Sequence, residues 1–83
     1  SVKNSLVTQG CIVNGDVTGS VLFNNVYIGE GAKVVDSVLM PGVLVEEGAE
    51  RSRAIVDEGV VIKAKKVVNK EAKTVELVSD NAK

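Results

Sequence analysis

The sequence predicts an all-β solenoid, in which the chain winds through stacked coils, and the main observation behind this prediction is an internal repeat. Three stretches of 17 residues can be superimposed along the chain: Gly19–Val35, Asp36–Ser52 and Arg53–Asn69. A shorter related stretch, Asn4–Thr18, precedes them. A single unit of this size cannot bury its own apolar face, so units that repeat at a fixed period stack to build a core. The repeat therefore predicts about four coils.

The spacing of large aliphatic residues predicts the shape of each coil. They recur at steps of six, six and five, which gives three inward-facing side chains per unit: Leu22, Ile28, Val34, Leu39, Val45, Arg51, Val56, Ile62 and Val68. Small residues form a second column four positions after an anchor: Val26, Ala32, Val43, Ala49 and Val60. A helix would instead place apolar residues three and four positions apart. We therefore predict a triangular, single-stranded parallel β-helix over residues 1–69, followed by a C-terminal extension over residues 70–83.

Two further features agree with this prediction. Gly and Asn, which tolerate the positive φ that tight corners require, recur in register at Gly10, Asn25, Gly42 and Gly59 and again at Gly31 and Gly48. Valine, which favours strands, accounts for 18 of the 83 residues. The hexapeptide signature, in which an aliphatic residue is followed four positions later by a small one, is complete at Ile28–Lys33 and Val45–Glu50.

Three residues break the repeat. Arg51 occupies an inward position, while Lys65 and Lys66 replace a corner glycine and a small inward residue. Because an unpaired charge in an aliphatic core costs several kcal/mol, Arg51 either swings out at a distorted corner, extends to the open end of the stack, or weakens the stack, and we expect the first. Beyond Asn69 the repeat ends, and the alternation of Lys73–Ser79 predicts one strand before a frayed end at residues 80–83.

Composition limits the function. The net charge is −1, and the lysines of residues 63–73 lack the interleaved aromatic and arginine residues of nucleic-acid readers, so we predict a solvated face. No apolar run is long enough for a membrane span, and no charged and apolar leader opens the sequence. The single Cys11 is predicted to be a small core residue and fits a reducing cytoplasm. We predict no catalytic, cofactor-binding or metal-binding residue in this chain, and no cofactor.

The detailed sequence resembles the C-terminal domain of the ADP-glucose pyrophosphorylase (glucose-1-phosphate adenylyltransferase) family, including its GlgD-type subunits. The strings that carry the resemblance are Ser5–Gly15, Gly19–Phe23, Asp36–Gly42, Arg53–Val56 and Val60–Ile62. The resemblance implies a left-handed parallel β-helix that serves a cytoplasmic nucleotidyltransferase of glycogen or starch biosynthesis in assembly and regulation. It also implies that the nucleotide and sugar-phosphate sites belong to an N-terminal domain that these residues do not include.

The resemblance implies a partner for this chain as well, either that N-terminal domain or a partner subunit. We further expect a homo-oligomer that forms through the β-helix, because Val35, Leu44 and Val61 fall at predicted outward positions.

Three alternatives share the predicted fold. Hexapeptide acyltransferases use a histidine as general base and the related zinc enzymes need several histidine ligands, but this sequence has no histidine, so such a chain would be an inactive scaffold. An ice-binding solenoid needs a regular threonine ladder, and Thr8, Thr18 and Thr74 are out of register. A self-assembling structural solenoid stays open, because the exposed strand edges of a short β-helix invite end-to-end stacking.

Overall fold

The computed structural model describes residues 1–64, 67–68 and 76–78, and these residues form fourteen short strands. The strands belong to three parallel sheets. Sheet I contains β1 (Val2–Lys3), β4 (Asp16–Thr18), β7 (Lys33–Val35), β10 (Glu50–Ser52) and β13 (Val67–Val68). Sheet II contains β2 (Leu6–Val7), β5 (Val21–Leu22), β8 (Val38–Leu39), β11 (Ala54–Val56) and β14 (Glu76–Val78). Sheet III contains β3 (Ile12–Val13), β6 (Tyr27–Ile28), β9 (Leu44–Val45) and β12 (Val61–Ile62).

The chain visits sheets I, II and III in turn, so each circuit is one coil of a parallel β-helix with four complete coils. This confirms the predicted fold class. The strand register follows the repeat, since Tyr27 pairs with Leu44, which lies 44 − 27 = 17 positions later. The first coil is two residues shorter, because Ile12 pairs with Tyr27 at 27 − 12 = 15 positions. The coils are joined by backbone hydrogen bonds such as the one from Tyr27 N–H to Val43 O at 2.9 Å.

The predicted inward columns form the core. Each described side chain of the aliphatic column and of the small column is buried, with at most 3 % of its surface exposed: Leu22, Val26, Ile28, Ala32, Val34, Leu39, Val43, Val45, Ala49, Val56, Val60 and Ile62. Burial of a valine, leucine or isoleucine contributes about 1.5–3 kcal/mol, so these thin layers supply most of the driving force for folding. Cys11 also packs against this core, but it is half-buried because it belongs to the first coil.

The prediction for Arg51 is wrong. Arg51 lies in the middle of β10, where it pairs with Val34 on one side and Val68 on the other, and only 1 % of it is exposed. Its Nη1 donates a hydrogen bond to the Glu50 carbonyl oxygen at 3.3 Å. The parallel register fixes which face each residue occupies, and a one-residue slip of β10 would turn its outward residues Glu50 and Ser52 into the core. The backbone therefore keeps the arginine inside. Lys65 and Lys66 lie outside the described residues.

Arg51→Val is predicted to raise the melting temperature. Valine would continue the column formed by Val34 and Val68, and replacing a buried charged group by a well-packed hydrophobic one is often neutral or stabilising. A thermal melt followed by circular dichroism measures the effect, with Lys33→Gln as the control, because Lys33 is an exposed cation on the neighbouring strand. A lower melting temperature for Arg51→Val would show that the guanidinium contributes net stability.

All three corners of the prism use residues in the left-handed region of backbone conformation. The predicted glycine and asparagine positions have this geometry, for example Asn25 with a φ of 62° and Gly48 with a φ of 76°. The corner between sheets I and II was not predicted, and its positive-φ column is Asn4, Gly19, Asp36 and Arg53. Asn and Asp enter this region more readily than other side chains, whereas an arginine there is uncommon.

A ladder of serines follows this unpredicted corner. Ser37 N–H donates to Ser20 Oγ at 3.0 Å, and Ala54 N–H donates to Ser37 Oγ at 3.1 Å. Each hydroxyl in turn donates to a carbonyl two residues earlier, as Ser37 Oγ does to Val35 O at 2.9 Å. Ser5 starts the ladder at the first coil, where its Oγ accepts from Ser20 N–H at 2.9 Å. The ladder satisfies backbone donors that the corner removes from the strand pairing.

The structure describes three residues of the predicted C-terminal strand. Of Lys73–Ser79, residues Glu76–Val78 form β14, which pairs in parallel with β11 at the edge of sheet II. Residues 73–75 and 79 lie outside the described residues, as do residues 80–83. In the described part of the chain, no helix is long and apolar enough to cross a membrane.

Candidate functional site

The outer face of sheet II carries a column of apolar side chains. Leu6, Val21, Val38 and Ile55 are neighbours in the strand register, one from each coil. Leu6 and Ile55 are the most accessible of the four, with 61 % of Leu6 and 39 % of Ile55 exposed, while Val21 and Val38 are half-buried. The residues that follow Val21, Val38 and Ile55 are buried in the core, so the four column members form a continuous apolar line on the surface.

The outer face of sheet III carries a second column of the same kind. It consists of Ile12, Tyr27, Leu44 and Val61, which are paired in register from the first coil to the fourth. Ile12 is 55 % exposed and Tyr27 is 36 % exposed, and Leu44 and Val61 are half-buried. Tyr27 supplies a large and rigid contact area with a polar hydroxyl, and such side chains often anchor protein interfaces.

The corner between sheets II and III joins the two columns. Phe23, Met40 and Pro41 lie at this corner, and Phe23 is 38 % exposed. With them, the two columns make one apolar surface that wraps around an edge of the prism. We call this surface the apolar band and define it by eleven residues: Leu6, Ile12, Val21, Phe23, Tyr27, Val38, Met40, Pro41, Leu44, Ile55 and Val61. Large exposed apolar patches of this kind mark interaction sites.

Acidic side chains border sheet III on both sides. At the corner toward sheet I lie Glu30, Glu46 and Glu47, and at the corner toward sheet II lie Asp57 and Glu58. Lys63 is the basic side chain among the described residues of this border. Glu46 is held in place, because its Oε1 accepts a hydrogen bond from Ala64 N–H at 2.9 Å. Asp57 Oδ1 similarly accepts from Glu58 N–H at 2.7 Å. We call these five acids the acidic border.

The outer face of sheet I differs from the other two. Its strand register places Asp16 beside Lys33 and Lys33 beside Glu50, so charges alternate along one column. A hydrogen bond from the Ser1 ammonium group, and next one from the Ser1 hydroxyl, lower the pKa of the Asp16 carboxyl, and Lys33 lowers it further. The neighbouring column holds Lys3, Thr18, Val35 and Ser52. Sheet I is therefore the polar face of the prism.

A shallow groove of about 230 Å³ lies on sheet I. Lys33, Val35, Glu50, Arg51 and Ser52 line it. Within the described residues there is no group of three or more Cys, Asp or Glu side chains arranged to hold a metal ion.

The sequence identified part of this surface. Val35, Leu44 and Val61 were predicted to face outward, and the structure confirms this for all three. It brings Leu44 and Val61 together on sheet III and places Val35 on sheet I, which is the polar face. The other members of the apolar band were missed, although a signal was present. In most strands of sheets II and III the residue immediately before the inward anchor is also apolar, as in Tyr27–Ile28 and Ile55–Val56.

Comparison with known proteins agrees with the geometry of the repeat. The family model described as "GlmU-like, C-terminal hexapeptide" matches residues 1–77. The chain belongs to this hexapeptide family. Glucose-1-phosphate adenylyltransferase from Bacillus cytotoxicus is 43 % identical over 77 residues, which cover 93 % of the chain and 20 % of that relative. The protein of the same name from Bacillus thuringiensis is 39 % identical over 70 residues, covering 84 % of the chain and 19 % of the relative.

A third relative shows a shorter and stronger match. Glucose-1-phosphate adenylyltransferase from Acetivibrio thermocellus is 57 % identical over 37 residues, which cover 45 % of the chain and 9 % of that protein. The similarity to this group of hexapeptide-family proteins confirms the resemblance seen in the sequence. The chain spans about one fifth of the length of the two relatives that it matches over most of its own length.

Proposed function

We propose that this chain is the non-catalytic assembly and regulatory domain of a glucose-1-phosphate adenylyltransferase, which makes ADP-glucose for glycogen or starch synthesis in the cytoplasm. The apolar band carries the proposal. It lets the β-helix dock against the remaining part of the enzyme. The relatives support the enzyme class, because they carry that name and their sequences match most of this chain.

The dimensions of the domain support an interface that spans two sheets. The molecule measures 27 × 23 × 20 Å along its principal axes. One face of a prism of this size offers on the order of 500 Å², whereas a stable complex buries ~800 Å² per partner. A partner that covers both sheets II and III and the corner between them reaches the larger area. The apolar band has this extent, and its two columns are apolar, with Glu30, Glu46 and Glu47 along its edge toward sheet I and with Asp57 and Glu58 at the corner that it crosses.

The absence of histidine from the sequence supports a scaffold role. Acyl transfer on a related β-helix would need a general base in reach of the substrate, and the acidic border offers only carboxylates at corners of the prism. Among side chains, histidine acts most often as the general base at neutral pH. We therefore assign the chemistry of the enzyme to the part outside this chain.

Tyr27→Lys tests the proposal. The matched control is Val35→Lys, because Val35 lies at an outward strand position with nearly the same exposure, 37 % against 36 %, but on sheet I. The probe is the part of the Bacillus cytotoxicus relative that the chain does not match, about four fifths of its length. Its affinity for each variant is measured by calorimetry, and circular dichroism confirms that each variant is folded.

We expect the wild-type chain to bind this probe and Tyr27→Lys to weaken the binding about tenfold or more, because a buried ammonium group replaces an aromatic anchor. Val35→Lys is expected to change the affinity less than about twofold, as for side chains outside an interface. A wild-type chain that does not bind, or an equal loss for both variants, would contradict the proposed function.

A further inference from the structure

We infer that sheet III is the docking face for a partner protein surface with an apolar centre and a lysine- or arginine-rich border, and that a second copy of this chain does not occupy it. The inference rests on the proposed function and deepens it, because it assigns a partner chemistry to one half of the apolar band. It is carried by the position of the acidic border around the column of Ile12, Tyr27, Leu44 and Val61.

The charges of the described residues are distributed unevenly over the prism. Residues 1–64 contain eight acids, and five of them form the acidic border of sheet III. The remaining three, Asp16, Asp36 and Glu50, lie on sheet I or at its corner with sheet II. On sheet I the acids alternate with Lys33, so that face is locally balanced. Among the described residues, sheet III has one lysine, Lys63, against its five acids, so this part of its border carries a net negative charge.

This border determines which surfaces can dock on the apolar column. Counting the described residues, two copies of the chain that met through sheet III would bring 2 × 5 = 10 acids and 2 × 1 = 2 lysines around a single contact. Like charges placed together across an interface oppose association, whereas a basic border on the partner would be attracted. The charges therefore favour a different protein surface over a second copy.

The acids flank the apolar column of sheet III on both sides and do not interrupt it. Glu30, Glu47, Asp57 and Glu58 are exposed, and they lie at corners on both sides of the apolar column. Glu46 and Asp57 are oriented by backbone hydrogen bonds, which reduces the conformational entropy that binding would cost. A partner would keep the apolar centre dry and pair its basic residues with carboxylates at the edge. Such border pairs contribute mainly to the rate of association and to specificity.

The experiment compares two double variants that change the net charge equally. Glu47→Gln with Glu58→Gln neutralises one acid at each corner of sheet III, and the control, Asp36→Asn with Glu50→Gln, neutralises two acids away from it. Asparagine is chosen at position 36 because φ is 50° there and asparagine tolerates that conformation. The probe is again the unmatched four fifths of the Bacillus cytotoxicus relative, with association rates measured from low to physiological salt.

We expect Glu47→Gln with Glu58→Gln to slow association at least about threefold at low salt and to flatten its salt dependence. The control double variant should match the wild-type chain. Binding in which both double variants behave like the wild type would overturn this inference and leave the proposed function standing. A wild-type chain that does not bind the probe would contradict both.

Sedimentation of the chain alone gives an independent outcome. If wild-type chains associate with each other, the inference requires that Tyr27→Lys leaves this association intact, because the contact lies elsewhere. Self-association that Tyr27→Lys abolishes and Val35→Lys does not would place a second copy on sheet III and overturn the inference.

Discussion

Gly29→Ala is expected to destabilise the β-helix by ~3 kcal/mol or more, because an added methyl group would collide with the backbone of the next coil. A Cβ atom at this position would lie 2.6 Å from the Glu47 nitrogen and 2.9 Å from the Glu46 carbonyl carbon. Both atoms belong to a main chain that is hydrogen-bonded into the stack, so neither can move away without breaking the coil spacing. Overpacking typically costs ~1–3 kcal/mol, and a rigid backbone places this case at the upper end or above.

Urea unfolding of Gly29→Ala and of the wild-type chain measures this effect, and Gly59→Ala is the matched control. Gly59 has a φ of 72°, and a Cβ there would meet no atom within 4 Å. Its substitution therefore costs only the strain of the left-handed conformation, about 1–2 kcal/mol. Comparison of the two variants separates the cost of a steric clash between coils from the cost of a strained backbone conformation. Equal destabilisation by both would contradict the tight contact between the second and third coils.

Ser37→Ala is expected to destabilise the fold by about 2–3 kcal/mol, because it breaks the serine ladder in the middle of the stack. The change removes the acceptor of the buried Ala54 N–H and the donor to Val35 O. A buried donor left without a partner costs about 1–3 kcal/mol, and one lost hydrogen bond adds about 1 kcal/mol. Ser37 is 2 % exposed, so water cannot replace the hydroxyl.

Ser5→Ala is the control for this prediction. Ser5 Oγ makes the same pair of bonds, to Ser20 N–H and Lys3 O, both at 2.9 Å. Ser5 lies in the first coil and is half-buried, so water can take over part of its role. We expect a loss of about 1 kcal/mol or less. Guanidinium unfolding curves for the two variants give the comparison, and a larger loss for Ser5→Ala would show that the ladder does not stabilise the stack.

The sequence was sufficient to predict most of the core, because the repeat determines it directly, although the buried Val17 and Ala54 were in neither predicted column. Leu39, for example, belongs to a column of aliphatic residues that recurs at a fixed interval. When the coils stack, such a residue can be buried only on the inner side of its strand. Arg51 shows where this reasoning failed. The charge suggested an outward position, but the register of β10 between β7 and β13 controls the direction of every side chain in the strand. The energy of the whole strand therefore outweighs the preference of one residue.

The serine ladder and the apolar band could be predicted less well for different reasons. The hydrogen bond from Ala54 N–H to Ser37 joins residues 17 positions apart, and its geometry exists only once the corner has formed. The band consists of outward residues, which the rules of core packing do not constrain. Leu44 and Val61 were identified from the repeat, but the joining of Tyr27 and Phe23 into one surface depends on how sheets II and III meet. The acidic border likewise becomes visible only when the corners are placed side by side.

Methyl cross-saturation in solution tests most directly the claim that the apolar band is the binding surface of this domain. The chain is deuterated except at its methyl groups, the protonated four fifths of the Bacillus cytotoxicus relative is added, and saturation is transferred from that partner. The proposal predicts intensity losses at the methyl groups of Leu6, Leu44 and Ile55, with the methyl groups of Val35 unchanged. Losses at Val35 that equal or exceed those at Leu6, Leu44 and Ile55 would place the partner on sheet I and contradict it.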